Sequence, residues 1–179
     1  MTIVMVLGLL LKFGPMSGYE IQQKMKSGKT DKWAYVQPAS IYHALRILDR
    51  DELVFLQKLE QTGNRSKAIY SITSKGKFEF DRMLINSFKK ASVVFPTALY
   101  TVLTFMDEAP KENIIEALEV QQQAIQNIYD EMKVGQKEKE EYSKIPKNVL
   151  LIFENMYDQC EMQLQFLQKL KQDLLSDLF

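Results

Sequence analysis

A mainly α-helical fold with one small β-hairpin, divided into two domains, is what this sequence of 179 residues predicts. Three observations carry the prediction. The first half reads as three helices, two β-rich runs and a fourth helix, whereas the second half reads as long helices only. Charge divides at the same place. Met1 to Phe88 holds thirteen Lys and Arg against eight Asp and Glu, a balance of +5, and Lys89 to Phe179 holds ten Lys, no Arg and fifteen acids, a balance of −5. Finally, 46% hydrophobic and 26% charged residues suit a chain that buries a core rather than a disordered one.

The elements follow in order. "MTIVMVLGLLLKFGPMSGYE" opens with an apolar run at Ile3 to Phe13 that stops at Gly14-Pro15. No basic residue precedes it, no small-residue cleavage site follows, and about ten apolar residues are too few to span a bilayer. It is read as a buried first helix rather than an export signal. "SGYE" then offers a capping box, in which Ser17 accepts from the third helical N–H and Glu20 reaches back to the Ser17 N–H. Ile21 and Met25 face inward on that short second helix, which breaks near Ser27-Gly28. The loop "GKTDKWAYVQP" follows. Its Trp33 and Tyr35 either anchor it to the core or line an apolar ligand pocket.

Pro38 suits the first turn of a third helix, where its missing N–H costs nothing. Ile41, Ala44, Leu45 and Leu48 recur at helical spacing and should face inward. The opposite stripe is Ser40, His43, Arg46, Ile47 and Arg50, with Tyr42 at its margin. "LVFLQKLE" and "KAIYSIT" flank "QTGNRS", which has the Gly-Asn chemistry of a hairpin tip. Thr73 or Ser74 can cap a fourth helix, "KGKFEFDRMLINSFKK". Three helices and then a hairpin is the order of a winged helix-turn-helix.

Beyond Pro96, "TALYTVLTFM" predicts a short helix. Lys111 to Tyr142 places Ile114, Leu118, Ile125, Ile128 and Met132 on one stripe, broken by Gln121. Ile145-Pro146 interrupts, and a last helix runs from about Asn148 to Leu178. It carries Val149, Phe153, Met156, Cys160, Leu164, Leu167 and Leu174, widened by Ile152, Tyr157, Phe166 and Leu170. One hairpin cannot cover both faces, so a partner helix is implied.

Little here supports catalysis. The chain has one histidine, His43, and one cysteine, Cys160, which leaves no zinc set, no internal disulfide and no nucleophile–base pair. There is no G-x-G-x-x-G and no P-loop. Cys160 falls on an apolar stripe and reads as a small buried hydrophobe. The glutamates of "QKEKEEY" read as a solvated helix face. The sequence therefore predicts no catalytic residues, no metal and no cofactor, and a single cysteine fits a reducing cytoplasm.

By its helical phase, His43 points away from the core, with Ser40 and Arg46 one turn to either side. Such a stripe can lie in a DNA major groove, where Ser and Arg hydrogen-bond base edges or phosphates. Arg65 and Lys67 near the hairpin tip, with Lys58 on its first strand, can meet the phosphate backbone.

"MVLGLLLKFGPMSGYEIQQKM", "QPASIYHALRILDRDELV" and "RSKAIYSITSKGKFEF" together resemble the N-terminal domain of the PadR family of bacterial transcriptional regulators, over Met5 to about Phe80. The shared pattern is an apolar first helix, G-Y-E-I/L, I-Y-x-A-L-x-x-L and a wing ending Y-x-I/L-T-x-x-G. The tail is similar in length and helix pattern to the longer C-terminal domain of one branch. The resemblance implies a winged helix-turn-helix over residues 1–90 and an α-helical dimerisation domain over 91–179. It implies a cytoplasmic homodimer on a palindromic operator, usually a repressor, often released by a phenolic acid, drug or other small molecule.

Carried to this chain, Ser40, Tyr42, His43, Arg46 and Arg50 would face DNA, and Arg65 and Lys67 would serve the wing. The dimer contact falls to Ile114, Leu118, Ile125, Phe153, Met156, Leu164 and Leu167. Ala39-Ser40 and His43 depart from the Gly-Thr and Pro common in the family, and Glu52 stands where many members have Gly before the first wing strand. The rival from another class is a protein-interaction module, with the winged helix as scaffold and the helical tail binding a different protein.

Overall fold

The computed structural model describes residues 1–34, 36–62 and 65–176, and the side chains of Lys32, Pro38, Thr62 and Arg65 fall outside that description. Tyr35, the Gly63-Asn64 turn and residues 177–179 therefore lie outside the described residues. The chain forms two compact units, Met1–Val93 and Val94–Phe179.

In the first unit α1 (Thr2–Phe13), α2 (Gly18–Ser27) and α4 (Ile41–Arg50) bury their apolar stripes in one core. Val6, Leu7, Leu10, Ile21, Met25, Ile41, Ala44, Leu45 and Leu48 are all at most 3% exposed. Each larger side chain so covered contributes about 1.5–3 kcal/mol relative to exposure. Strands β2 (Val54–Thr62) and β3 (Arg65–Ile72) pair antiparallel as the wing, and α5 (Ser74–Phe88) follows.

Four expectations need correction here. Met16–Ser17 forms a short strand, β1, on the free side of β3, so the sheet has three strands in the order β1-β3-β2. The segment expected to be loop contains a single helical turn, α3 (Thr30–Trp33), started by Lys29 in the left-handed region at φ 51°. Pro38 does not open the α-helix: Pro38–Ser40 is a 3₁₀ turn, and α4 begins at Ile41. Trp33 is 41% exposed, and it ties down its segment by donating Nε1–H to the Gly28 carbonyl at 2.8 Å rather than by entering the core.

The exit of α4 resolves the missing-glycine question. Glu52 has φ 58°, the left-handed region. Its N–H donates to the Asp49 carbonyl at 3.0 Å, and the Leu53 N–H donates to the Leu48 carbonyl at 2.8 Å. Those two bonds, with Leu48 and Leu53 both buried, make a Schellman termination in which Glu52 holds the place that glycine fills most easily. Replacing Glu52 by Gly relieves Cβ strain of about 1–2 kcal/mol and adds back about 0.5–1 kcal/mol of unfolded-chain freedom. The Lys75–Glu52 ion pair lost with it, at 3.3 Å and exposed, contributes little. Denaturant unfolding of Glu52→Gly should thus show a gain of about 0.5–1 kcal/mol, and a loss would refute the strain argument.

The second unit holds α6 (Thr97–Leu103), a 3₁₀ turn at Met106–Glu108, and the antiparallel pair α7 (Lys111–Tyr142) and α8 (Lys147–Leu175). Leu118, Leu167, Leu170 and Leu174 form its buried core, with Leu99, Leu103, Met106, Ile114, Ile115 and Ile125 packed against them. A polar cluster ties the hairpin further along. Tyr157 donates to Gln136 at 2.6 Å, Tyr129 donates to Glu161 at 2.9 Å, and Lys133 Nζ lies 4.0 Å from the Tyr157 ring centre.

Candidate nucleic-acid interface

The opposite faces of α4 differ sharply. Ile41 and Leu48 are fully buried and Ala44 and Leu45 are 3% exposed, while Tyr42, His43, Arg46 and Arg50 lie on the surface. The helix is therefore anchored through one face and presents the other to solvent.

The outward residues are not equally available. His43 and Arg46 have no hydrogen-bond or ion-pair partner among the described residues. Arg50 forks onto Asp51, Nε to Oδ1 at 2.8 Å and a second nitrogen to Oδ2 at 3.3 Å, and that pairing raises the Arg50 pKa and lowers that of Asp51. Ser40 is only half-exposed. Its hydroxyl donates to the Gln37 carbonyl at 2.6 Å and lies 3.2 Å from the Thr2 hydroxyl, so it helps to close the 3₁₀ turn.

Tyr42 leans toward the start of α2. A Cβ placed on Gly18 would stand 2.7 Å from Tyr42 Cε1, so the glycine leaves room for this ring. Three residues of the "SGYE" stretch thus have local tasks. Ser17 accepts from the Glu20 N–H at 3.3 Å, Gly18 clears space for Tyr42, and Glu20 takes the Ser17 N–H at 2.8 Å.

Glu20 has a second task that sequence reading missed. Its other carboxylate oxygen accepts from Lys67 Nζ of the wing at 2.9 Å, so one side chain caps α2 and clasps β3. The Ser17 N–H first, and then Lys67, lowers the Glu20 carboxyl from 4.5 to about 2. The unfolded chain takes up a proton near pH 4.5, but the folded chain does so only near pH 2. The stabilisation is therefore complete above about pH 5 and is lost as pH falls from there toward 2. Glu60, lowered by Lys58, and Glu79, lowered by Arg82, act in the same direction. Thermal melts across pH 2–6 should show a shallower acid slope for Glu20→Gln than for the wild type, and parallel slopes would remove Glu20 from the titration.

Arg65 opens β3 opposite Thr62, and its side chain lies outside the described residues. Lys58 is exposed on β2 and ion-pairs with Glu60.

In the second unit Leu118, Leu167, Ile114 and Ile125 meet inside the hairpin, with Phe153, Met156 and Leu164 half-buried. Large apolar side chains still at the surface include Val120, Ile128 and Val134 of α7 and Leu151, Ile152, Met162 and Phe166 of α8. Cys160 is half-buried on α8, and burial pushes its thiol pKa up. Among the described residues no group of three His, Cys, Asp or Glu could hold a metal, and no helix is long and apolar enough to cross a membrane.

Residues 6–82 match the model of the Transcriptional regulator PadR-like family. Solved structures match along nearly the whole chain. The chain resembles Bacillus subtilis PadR in complex with operator DNA with a TM-score of 0.75 at 17% identity, covering 96% of this chain and 98% of that one. The same protein in complex with p-coumaric acid matches at 0.72 and 18%, over 96% and 94%. A PadR-like transcriptional regulator of Bacillus cereus matches at 0.65 and 18%, also over 96% and 94%. At these identities the likeness establishes the fold, a winged helix with C-terminal helices. No curated protein matches the sequence.

Proposed function

We propose, from the premise that residues 6–82 belong to the PadR-like family of transcriptional regulators, that the chain is a homodimeric repressor that binds a palindromic operator. The observation that carries this reading is α4 itself. One face is locked into the core, and the other offers His43 and Arg46 unpaired among the described residues, with Tyr42 and Arg50 beside them. Arg can fork onto guanine O6 and N7, and His can donate to a base edge or phosphate. Ser40 joins them as a turn group with one acceptor position left. Arg65 belongs to the wing's backbone contact, and Lys67 stands on the same strand with its ammonium held by Glu20.

Residues 1–90 then act as the DNA-binding domain and 91–179 as the dimerisation domain. The acidic balance of the second half suits a part that stays off DNA. The sequence stripe assigned to dimerisation divides in two. Ile114, Leu118, Ile125 and Leu167 support the hairpin, and Phe153, Met156 and Leu164 with the exposed apolar residues of α7 and α8 are left for the partner copy. Two recognition helices so paired would enter successive major grooves about one turn apart. Bacillus subtilis PadR has been solved with p-coumaric acid, which supports a small-molecule effector here too, of unassigned identity. The protein acts in the cytoplasm without a cofactor and is not an enzyme.

The uncovered apolar residues of α7 and α8 would equally receive a different protein, with the winged helix as scaffold. Two measurements separate the readings. The regulator should have a solution mass near twice 20.9 kDa and should prefer its own promoter region over random duplex at near-physiological salt. A micromolar monomer with no sequence preference would end the operator reading.

A further inference from the structure

The wing carries two lysines where a phosphate contact is expected, and both are already occupied by acids of this chain. Strand β2 has an extra residue at Gln57, because Leu56 pairs with Tyr70 and Lys58 with Ile69. That bulge moves Lys58 and Glu60 onto the face shared by Lys67 and Ile69. Without it, alternation would send both to the other side. Four charges consequently line up: Lys58 on Glu60, Glu60 at 4.0 Å from Lys67, and Lys67 on Glu20 at 2.9 Å. They sum to zero. On α4, by contrast, His43 and Arg46 have no acid paired with them among the described residues.

We propose that Glu20 and Glu60 limit the wing's affinity for DNA: they neutralise Lys58 and Lys67 and so keep the wing from adding sequence-independent binding. The inference rests on the DNA-binding reading above. Phosphate contacts strengthen binding to every sequence alike, so a wing with two free lysines would raise random and operator binding together. Holding those lysines on carboxylates leaves discrimination to α4. The clasp is permanent across working pH, since Glu20 keeps its charge down to about pH 2. The Lys67–Glu20 pair is also exposed enough to be opened cheaply, with side chains 34% and 42% exposed. Removing an acid should therefore release a lysine without unfolding the domain.

Glu20→Gln is suited to the test because Gln at the third helical position still completes a capping box. Glu60→Gln leaves that box untouched and serves if the first variant folds poorly. The full chain would be titrated, over a range of salt, with a random duplex and with a duplex enriched by the wild type from a randomised pool. Each variant should bind the random duplex more tightly, with log K against log[salt] steeper by about 0.9 for each lysine released. The enriched duplex should tighten by a similar factor, which leaves the enriched-to-random ratio near wild type. Wild-type slopes and affinities in two folded variants would overturn the inference. So would weaker binding to both duplexes, because the acids would then be positioning the wing rather than restraining it. A wild type that enriches no sequence sinks the DNA-binding reading and this inference together, whereas unchanged slopes beside a wild type that does enrich one sink the inference alone.

Discussion

Gly76→Ala should destabilise the N-terminal unit by about 3 kcal/mol or more, although Ala is the better helix former. A Cβ on Gly76 would sit 2.0 Å from the Leu53 carbonyl oxygen and 2.9 Å from Ile72 Cγ1. The oxygen cannot simply turn aside. It accepts the Thr73 N–H at 3.0 Å and the Thr73 hydroxyl at 3.1 Å. The same hydroxyl takes the Gly76 N–H at 2.9 Å and so caps α5. Making room for one methyl breaks or stretches this set, and each bond is worth about 1 kcal/mol. For a unit of this size that loss corresponds to a fall in Tm of more than about 10 °C. Because Leu53 joins the end of α4 to the start of the wing, DNA binding should fall with stability. A Gly76→Ala protein as stable as wild type in denaturant would show that the close approach is not a constraint.

That site also shows how far sequence could be read into structure. The α5 cap, narrowed to Thr73 or Ser74, the Ser17/Glu20 box and the buried phase of α4 are local relations, set within a few residues, and the sequence patterns located them. What was not legible depends on distant partners. Nothing in Met16-Ser17 announces a strand until β3 lies beside it. The Gln57 bulge is invisible in a run where apolar and polar residues do not alternate cleanly, and it alone decides which way Lys58 and Glu60 point. Lys67 and Glu20 are 47 residues apart, so their pairing had no sequence signal. Trp33 was misplaced because aromatic residues usually go inside, whereas here one hydrogen bond to Gly28 holds the ring at the surface. Periodicity in α7 and α8 likewise identified apolar faces without saying which residues meet within the hairpin and which stay uncovered.

Ile41→Ala and Arg46→Ala should separate the two faces of α4 as cleanly as any pair in the chain. Ile41 is fully buried at the first turn, against a core that includes Leu7, Ile21 and Leu45. Its truncation removes apolar contact and leaves a cavity, at a cost of about 2–5 kcal/mol. Arg46 is one turn and a half further on, exposed and unpaired among the described residues, so its removal should change stability by no more than about 0.5 kcal/mol. Its effect should appear instead in DNA binding, as about 1–3 kcal/mol of lost discrimination between the preferred duplex and one altered at a single position. The salt slope tells which contact was lost. A base-reading Arg46 leaves a slope near wild type and relaxes preference at one position, whereas a phosphate-bound Arg46 reduces the slope by about 1 and weakens all sequences equally. Unchanged preference and slope in a protein that melts like wild type would take Arg46 out of the interface, and would leave His43 and Tyr42 as the residues on which this face of α4 depends.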